Sequence, residues 1–111
     1  MARARSWARL DPDPSTTLQL VTLIDAVERG DAPPDELAVL FDGRLQFGTA
    51  GIRGPLGPGP RRMNVLLAVQ TAAGIARVLL DGADGAASPA QRGVIIGRDA
   101  RHRSDAIAAA M

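Results

Sequence analysis

The 111-residue sequence has no cysteine, no tyrosine and no lysine, and its only aromatic residues are Trp7, Phe41 and Phe47. Without cysteine there is no disulfide framework and no thiolate metal site, which fits a cytoplasmic location. With so few rings the core must be aliphatic, and the margin of stability over chain entropy is expected to be small. All thirteen basic residues are arginines, set against twelve acidic ones for a formal charge of +1. Near-balance of this kind does not make a basic surface, so no nucleic-acid partner is expected. No apolar run approaches the ~18–20 residues that a membrane span needs, so no membrane partner is expected either.

What is present suits one small domain. The apolar content of 46% is ordinary for a globular chain and argues against wholesale disorder. Met1-Ala2-Arg3-Ala4-Arg5-Ser6-Trp7 has the flavour of a transit peptide, but Asp11 and Asp13 follow at once, and the segment reads as the first turns of a surface helix. Arg3, Arg5 and Arg9 then form a solvated face. Asp13-Pro14 opens a helix with a capping carboxylate and a proline where its missing N–H costs nothing. Leu18, Leu20, Val21, Leu23, Ile24 and Val27 recur on one broad face as far as Arg29, and Gly30 closes the helix. Asp31 or Ala32 with Pro33 and Pro34 restarts it, and Leu37, Leu40 and Phe41 define a short second helix. Residues 1–43 are therefore expected to be a helical extension.

The pattern changes at Leu45-Gln46-Phe47, which alternates like a strand. Residues 48–60 then hold five glycines and three prolines, which rules out regular helix there. From Asn64 to Leu80 the sequence is again helical and nearly apolar all round, as in a helix buried against a sheet. Residues 81–92 read as a surface connection. Gly93-Val94-Ile95-Ile96-Gly97 has the character of a strand buried on both faces, and Ser104-Asp105 is expected to cap a last helix. Strand and helix alternate as in an α/β fold, yet two or three strands leave both sheet edges unpaired. The expectation is an incomplete α/β domain over residues 44–111.

Two loops carry chemistry. Phe47-Gly48-Thr49-Ala50-Gly51-Ile52-Arg53-Gly54 exposes backbone N–H groups, the Thr49 hydroxyl and the Arg53 guanidinium, a donor set suited to phosphate. It lacks the Gly-Lys-Ser/Thr of a Walker loop, and it reads equally as a tight turn in which Gly48 and Gly51 serve only the backbone. Gly97-Arg98-Asp99-Ala100-Arg101-His102-Arg103-Ser104 leaves one expected strand and opens a helix, the place where α/β sheets receive ligands. Asp99 and Arg101 are read as pairing with each other and shaping the turn. His102 is read as a surface histidine and Ser104 as an N-cap rather than a nucleophile. No metal-ligand spacing occurs around His102.

Together these two loops, with Gly59-Pro60-Arg61-Arg62-Met63-Asn64 between them, resemble the α-D-phosphohexomutase superfamily in order and spacing. Trp7 and Asp11-Pro12-Asp13-Pro14 further resemble its bacterial phosphoglucomutase/phosphomannomutase branch. The resemblance implies the first part of the α/β/α domain I of a four-domain isomerase of carbohydrate metabolism. Such an intramolecular phosphotransferase interconverts hexose 1-phosphate and hexose 6-phosphate through a phosphoserine, a magnesium ion and a hexose bisphosphate. It implies Arg53 and, less directly, Thr49 as phosphate- or substrate-binding residues, with Gly48, Gly51, Asp99 and Arg101 shaping the loops.

The family's nucleophilic serine loop, its aspartate-rich metal loop and its downstream domains have no counterpart in this chain. It is therefore expected to hold no magnesium or bisphosphate and to be inactive by itself, since phosphoryl transfer rests on positioning and charge stabilisation. The alternatives are a non-catalytic phosphosugar-binding or protein-interaction module, and a non-functional remnant.

Overall fold

A computed structural model of the chain describes residues 1–81 and 93–111. In chain order these form α1 (Ala2–Leu10), α2 (Pro14–Arg29), α3 (Pro34–Phe41), β1 (Phe47–Gly48), β2 (Gly51–Ile52), α4 (Val65–Asp81) and α5 (Ser104–Ala110). The chain divides into two compact units, Met1–Leu67 and Ala68–Met111.

In the first unit, α2 begins and ends as its sequence dictates. The Asp13 carboxylate accepts from the Ser15 amide at 2.9 Å and Pro14 occupies the first turn. Gly30 takes the left-handed conformation, φ +80°, that a side chain would oppose. Asp11 adds a second tie: its carboxylate accepts from the Asp13 amide and from the Thr16 hydroxyl. Both carboxylates are buried, and both are held by donors, as burial of a charge requires.

The core of this unit is made by Ala4 and Trp7 of α1, Leu20 and Ile24 of α2, Leu37, Leu40 and Phe41 of α3, and Leu66 at the start of α4. Trp7 meets Phe41 edge to face, with centroids 6.2 Å apart at 85°, the geometry that aromatic quadrupoles favour. The first helix is therefore not a surface element throughout, as its arginine-rich sequence suggested. Alanine and tryptophan at positions 4 and 7 share a face three residues apart, and that face is buried. Its arginines are also more engaged than a solvated face implies. Arg3 stacks over the Phe41 ring at 5.9 Å and donates to the Phe41 carbonyl, while Arg5 pairs with Glu28.

The only sheet among the described residues is the β1–β2 hairpin, antiparallel, with Phe47 opposite Ile52 and Gly48 opposite Gly51. The strand expected from Leu45 starts instead at Phe47, because the Leu45 amide donates to the Pro60 carbonyl at 2.9 Å and is not available to a ladder.

In the second unit two expectations are corrected. Residues 93–97 form no strand, and Ile95 is 98% exposed. A strand exists only through hydrogen bonds to a neighbour, and among the described residues none lies beside it. α4 is buried only over its first turn; farther along, Val78 is 70% exposed and Ile75, Leu79 and Leu80 are also open. The apolar pattern of both segments is that of elements packed on a sheet, and the described sheet is one hairpin. Apart from Asp81, the connection expected over 81–92 lies outside the described residues.

Candidate functional site

The hairpin owes its sharpness to its sequence. Thr49 and Ala50 form a two-residue turn between the paired glycines, and Gly51 has φ +103°, a conformation that glycine adopts without a Cβ penalty. Thr49 and Arg53 are both exposed. Arg53 follows β2 directly and makes no ion pair or hydrogen bond among the described residues. The tip of the hairpin thus presents the Thr49 hydroxyl, and its open end, past the Phe47–Ile52 pair, presents an Arg53 guanidinium uncommitted among the described residues, both donors toward an anion.

The stem is held more firmly than the tip. Gly54 lies so close to Leu45 that a Cβ there would stand 2.8 Å from Leu45 Cδ2. Beyond it, Leu56 and Met63 form a parallel bridge, with the Met63 amide donating to the Pro55 carbonyl at 2.8 Å and the Gly57 amide to the Met63 carbonyl at 3.2 Å. Gly59 sits against the end of α3 with φ +93°, where a Cβ would meet the Leu40 carbonyl oxygen at 2.8 Å. The Arg61 amide donates to that same carbonyl, and its guanidinium to the Asp42 carbonyl at 2.7 Å.

At the centre of this loop is Asn64, 2% exposed. Its amide nitrogen donates to the carbonyls of Gly57, Gly59 and Arg62 at 2.9, 2.8 and 3.1 Å. Its amide oxygen accepts from the Leu67 N–H at 2.8 Å and so caps α4. The sequence reading took Asn64 only as the start of a helix. The available signal was an asparagine set between a glycine–proline loop and the first apolar turn of a helix.

The second loop belongs to the other unit. Asp99 organises it: one carboxylate oxygen accepts from the Arg101 amide at 3.0 Å and the Ser104 hydroxyl at 2.9 Å, and the other accepts from Arg101 Nε at 2.7 Å. The Arg101 amide foremost, then the Ser104 hydroxyl and the Arg101 guanidinium, hold the Asp99 carboxyl below its ordinary range. Ser104 is not the cap of α5. Arg103 is, in a left-handed conformation with φ +70° and no side-chain cap bond, while the Ser104 hydroxyl turns back to Asp99. His102 is exposed. Among the described residues no three His, Cys, Asp or Glu side chains group as a metal site. Nor is any described helix long and apolar enough to cross a membrane.

Residues 44–111 match phosphoglucomutase/phosphomannomutase, alpha/beta/alpha domain I, and the chain belongs to that family. It is 36% identical over 102 residues to a probable phosphoribomutase of Schizosaccharomyces pombe, covering 92% of this chain and 16% of the relative. It is 39% identical over 95 residues to the phosphopentomutase of Mus musculus, covering 86% of this chain and 14% of that protein. With the phosphoglucomutase of Staphylococcus haemolyticus it shares 43% identity over 68 residues, 61% of this chain and 11% of the relative. The chain thus spans about a sixth or less of the length of these relatives. No solved structure matches it significantly.

Proposed function

We propose that this chain is the N-terminal part of a phosphomutase that moves a phosphoryl group between two positions of a sugar phosphate, and that its hairpin helps to hold the phosphate. The observation that carries this reading is the hairpin itself: Arg53, just past β2, is exposed and makes no ion pair or hydrogen bond among the described residues, on a hairpin whose glycine-flanked turn bears Thr49. A guanidinium left without a carboxylate partner retains its charge and planar donor fork for a phosphate dianion. Its role is electrostatic and positional, since it neither attacks nor leaves, and the nucleophile and metal ligands are supplied from outside the described residues.

Between hexose and pentose, the pentose is favoured. The relatives whose similarity covers 86–92% of the chain bear phosphopentomutase and phosphoribomutase names, whereas that to the phosphoglucomutase covers 61%. Among its described residues the chain supplies one phosphate contact surface and no activated nucleophile, so by this reading it binds without turning over.

The test is a mutase assay on two proteins, the 111-residue chain and its reading frame extended past Met111, with ribose 1-phosphate or glucose 1-phosphate, magnesium and the matching bisphosphate. Turnover is expected only in the extended protein, faster with the pentose. Arg53→Ala should cost it about 10²–10³ in kcat/KM, the scale seen when one charge-stabilising donor is removed. Turnover by the short chain, or an Arg53→Ala enzyme as active as the parent, overturns the reading.

A further inference from the structure

The hairpin stem is attached to the rest of its unit through residues 55–63, and both of its limbs are bonded there. The entering limb is tied by the Leu45 amide to the Pro60 carbonyl, and the leaving limb by the Pro55 carbonyl to the Met63 amide. Residues 55–63 have few means of holding themselves in place. They contain three prolines, which donate no backbone hydrogen bond, and Gly57 and Gly59 adopt positive φ, at +153° and +93°. Its own backbone bonds are few: the Met63 amide to the Pro55 carbonyl, the Gly57 amide to the Met63 carbonyl and the Arg62 amide to the Gly59 carbonyl. Asn64 adds side-chain donors to these: its one NH₂ group reaches the carbonyls of Gly57, Gly59 and Arg62 together.

We infer that Asn64 is the positioning residue of the candidate phosphate hairpin. Its buried amide closes the 57–62 loop, the loop fixes both limbs of the stem, and the stem fixes where Arg53 stands relative to the end of α3. The same side chain caps the first turn of α4 through its oxygen, accepting from the Leu67 amide. The consequence for phosphate binding rests on the function proposed above; the tether itself does not.

The two uses of Asn64 are separable by substitution. Asn64→Ser keeps an oxygen able to accept from the Leu67 amide, serine being a strong N-cap, but cannot serve three carbonyls. Asn64→Asp keeps the cap and sets a carboxylate against the same carbonyls.

Amide hydrogen exchange on the 111-residue chain reads each part separately, alongside a titration with inorganic phosphate followed at the Arg53 Nε–H signal. In Asn64→Ser the Leu67 and α2 amides should stay protected. The Leu45, Gly57, Arg61 and Met63 amides should exchange at least about tenfold faster, and the effect should be larger in Asn64→Asp. Phosphate affinity should fall about tenfold with helical content unchanged.

Unchanged protection at Leu45 and Met63 in both variants overturns the inference. Loss confined to Leu67 does so as well, because it assigns Asn64 to capping alone. Loss across α2 in both variants assigns it to the core and overturns the positioning role too. If the parent chain shows no phosphate response, the phosphate reading fails for this chain, while the exchange pattern still decides the tether.

Discussion

The two units of the chain are alike in apolar pattern and opposite in what becomes of it. Within Met1–Leu67, the apolar positions of α1, α2 and α3 close on one another, and Leu20 and Ile24 are essentially removed from solvent. Within Ala68–Met111, residues patterned just as strongly for burial lie open: Val78 and Leu80 on α4, and Val94, Ile95 and Ile96 in the segment before the Asp99 turn. The lesson concerns what each pattern needs. An amphipathic helix can be satisfied by two neighbours close in sequence. A β-branched run needs a flanking strand and two covering layers, which the chain must bring from far away.

The largest expected contrast is between core truncations. Leu20→Ala removes a fully buried side chain and should destabilise the first unit by about 2–5 kcal/mol. Val78→Ala in the second removes an exposed one and should stay within about 0.5 kcal/mol. Urea unfolding followed by Trp7 fluorescence, with circular dichroism for the helices, measures both. Comparable losses at the two positions would erase the distinction drawn here.

A smaller contrast comes from glycine. Gly59→Ala forces a Cβ to 2.8 Å from the Leu40 carbonyl oxygen at φ +93°, and should cost about 1–3 kcal/mol with displacement of the loop. Gly74→Ala lies within α4, where an added Cβ meets nothing within 4 Å. There the gain in helix propensity should stabilise the helix by about 0.5–1 kcal/mol. Opposite signs in thermal melts sharpen the comparison; the same sign breaks it.

The smallest effect is local to the second unit. The Asp99 carboxyl is held below its ordinary range by the Arg101 amide, the Ser104 hydroxyl and the Arg101 guanidinium. The ordered turn therefore favours the ionised form. Its contribution is present above the carboxyl's unfolded-chain pKa and is lost as pH falls through the lowered folded value. In an acid titration followed by NMR, the Arg101 amide shift should persist below the pH at which an ordinary aspartate protonates, then collapse with the Asp99 carboxyl signal. Collapse of the Arg101 amide shift at the pH where an ordinary aspartate protonates would contradict this account of the turn.

Much of the N-terminal half was legible because its signals are local. Asp13-Pro14 and Gly30 bound α2 where expected, and the glycines around Thr49 form the turn their spacing suggested. The pairing of Asp99 with Arg101 was also readable, since two residues apart on a turn is within reach of one side chain. Trp7 was misread because an arginine-rich neighbourhood masks a narrow buried face, and Ser104 because a helix start can be capped by backbone conformation alone.

Sequence by itself determined the boundaries of α2, the hairpin turn and the family to which the chain belongs, since each depends on residues a few positions apart or on the order of short motifs. Tertiary structure alone decided the rest. Asn64 became the hub of the loop because folding brings three carbonyls within 3.1 Å of one amide nitrogen. Arg3 became a lid on Phe41 because α1 returns to α3 across 38 positions of sequence. Whether an apolar run is buried is likewise no property of the run: burial requires atoms on the other side, and residues 93–97 have the pattern without the partner.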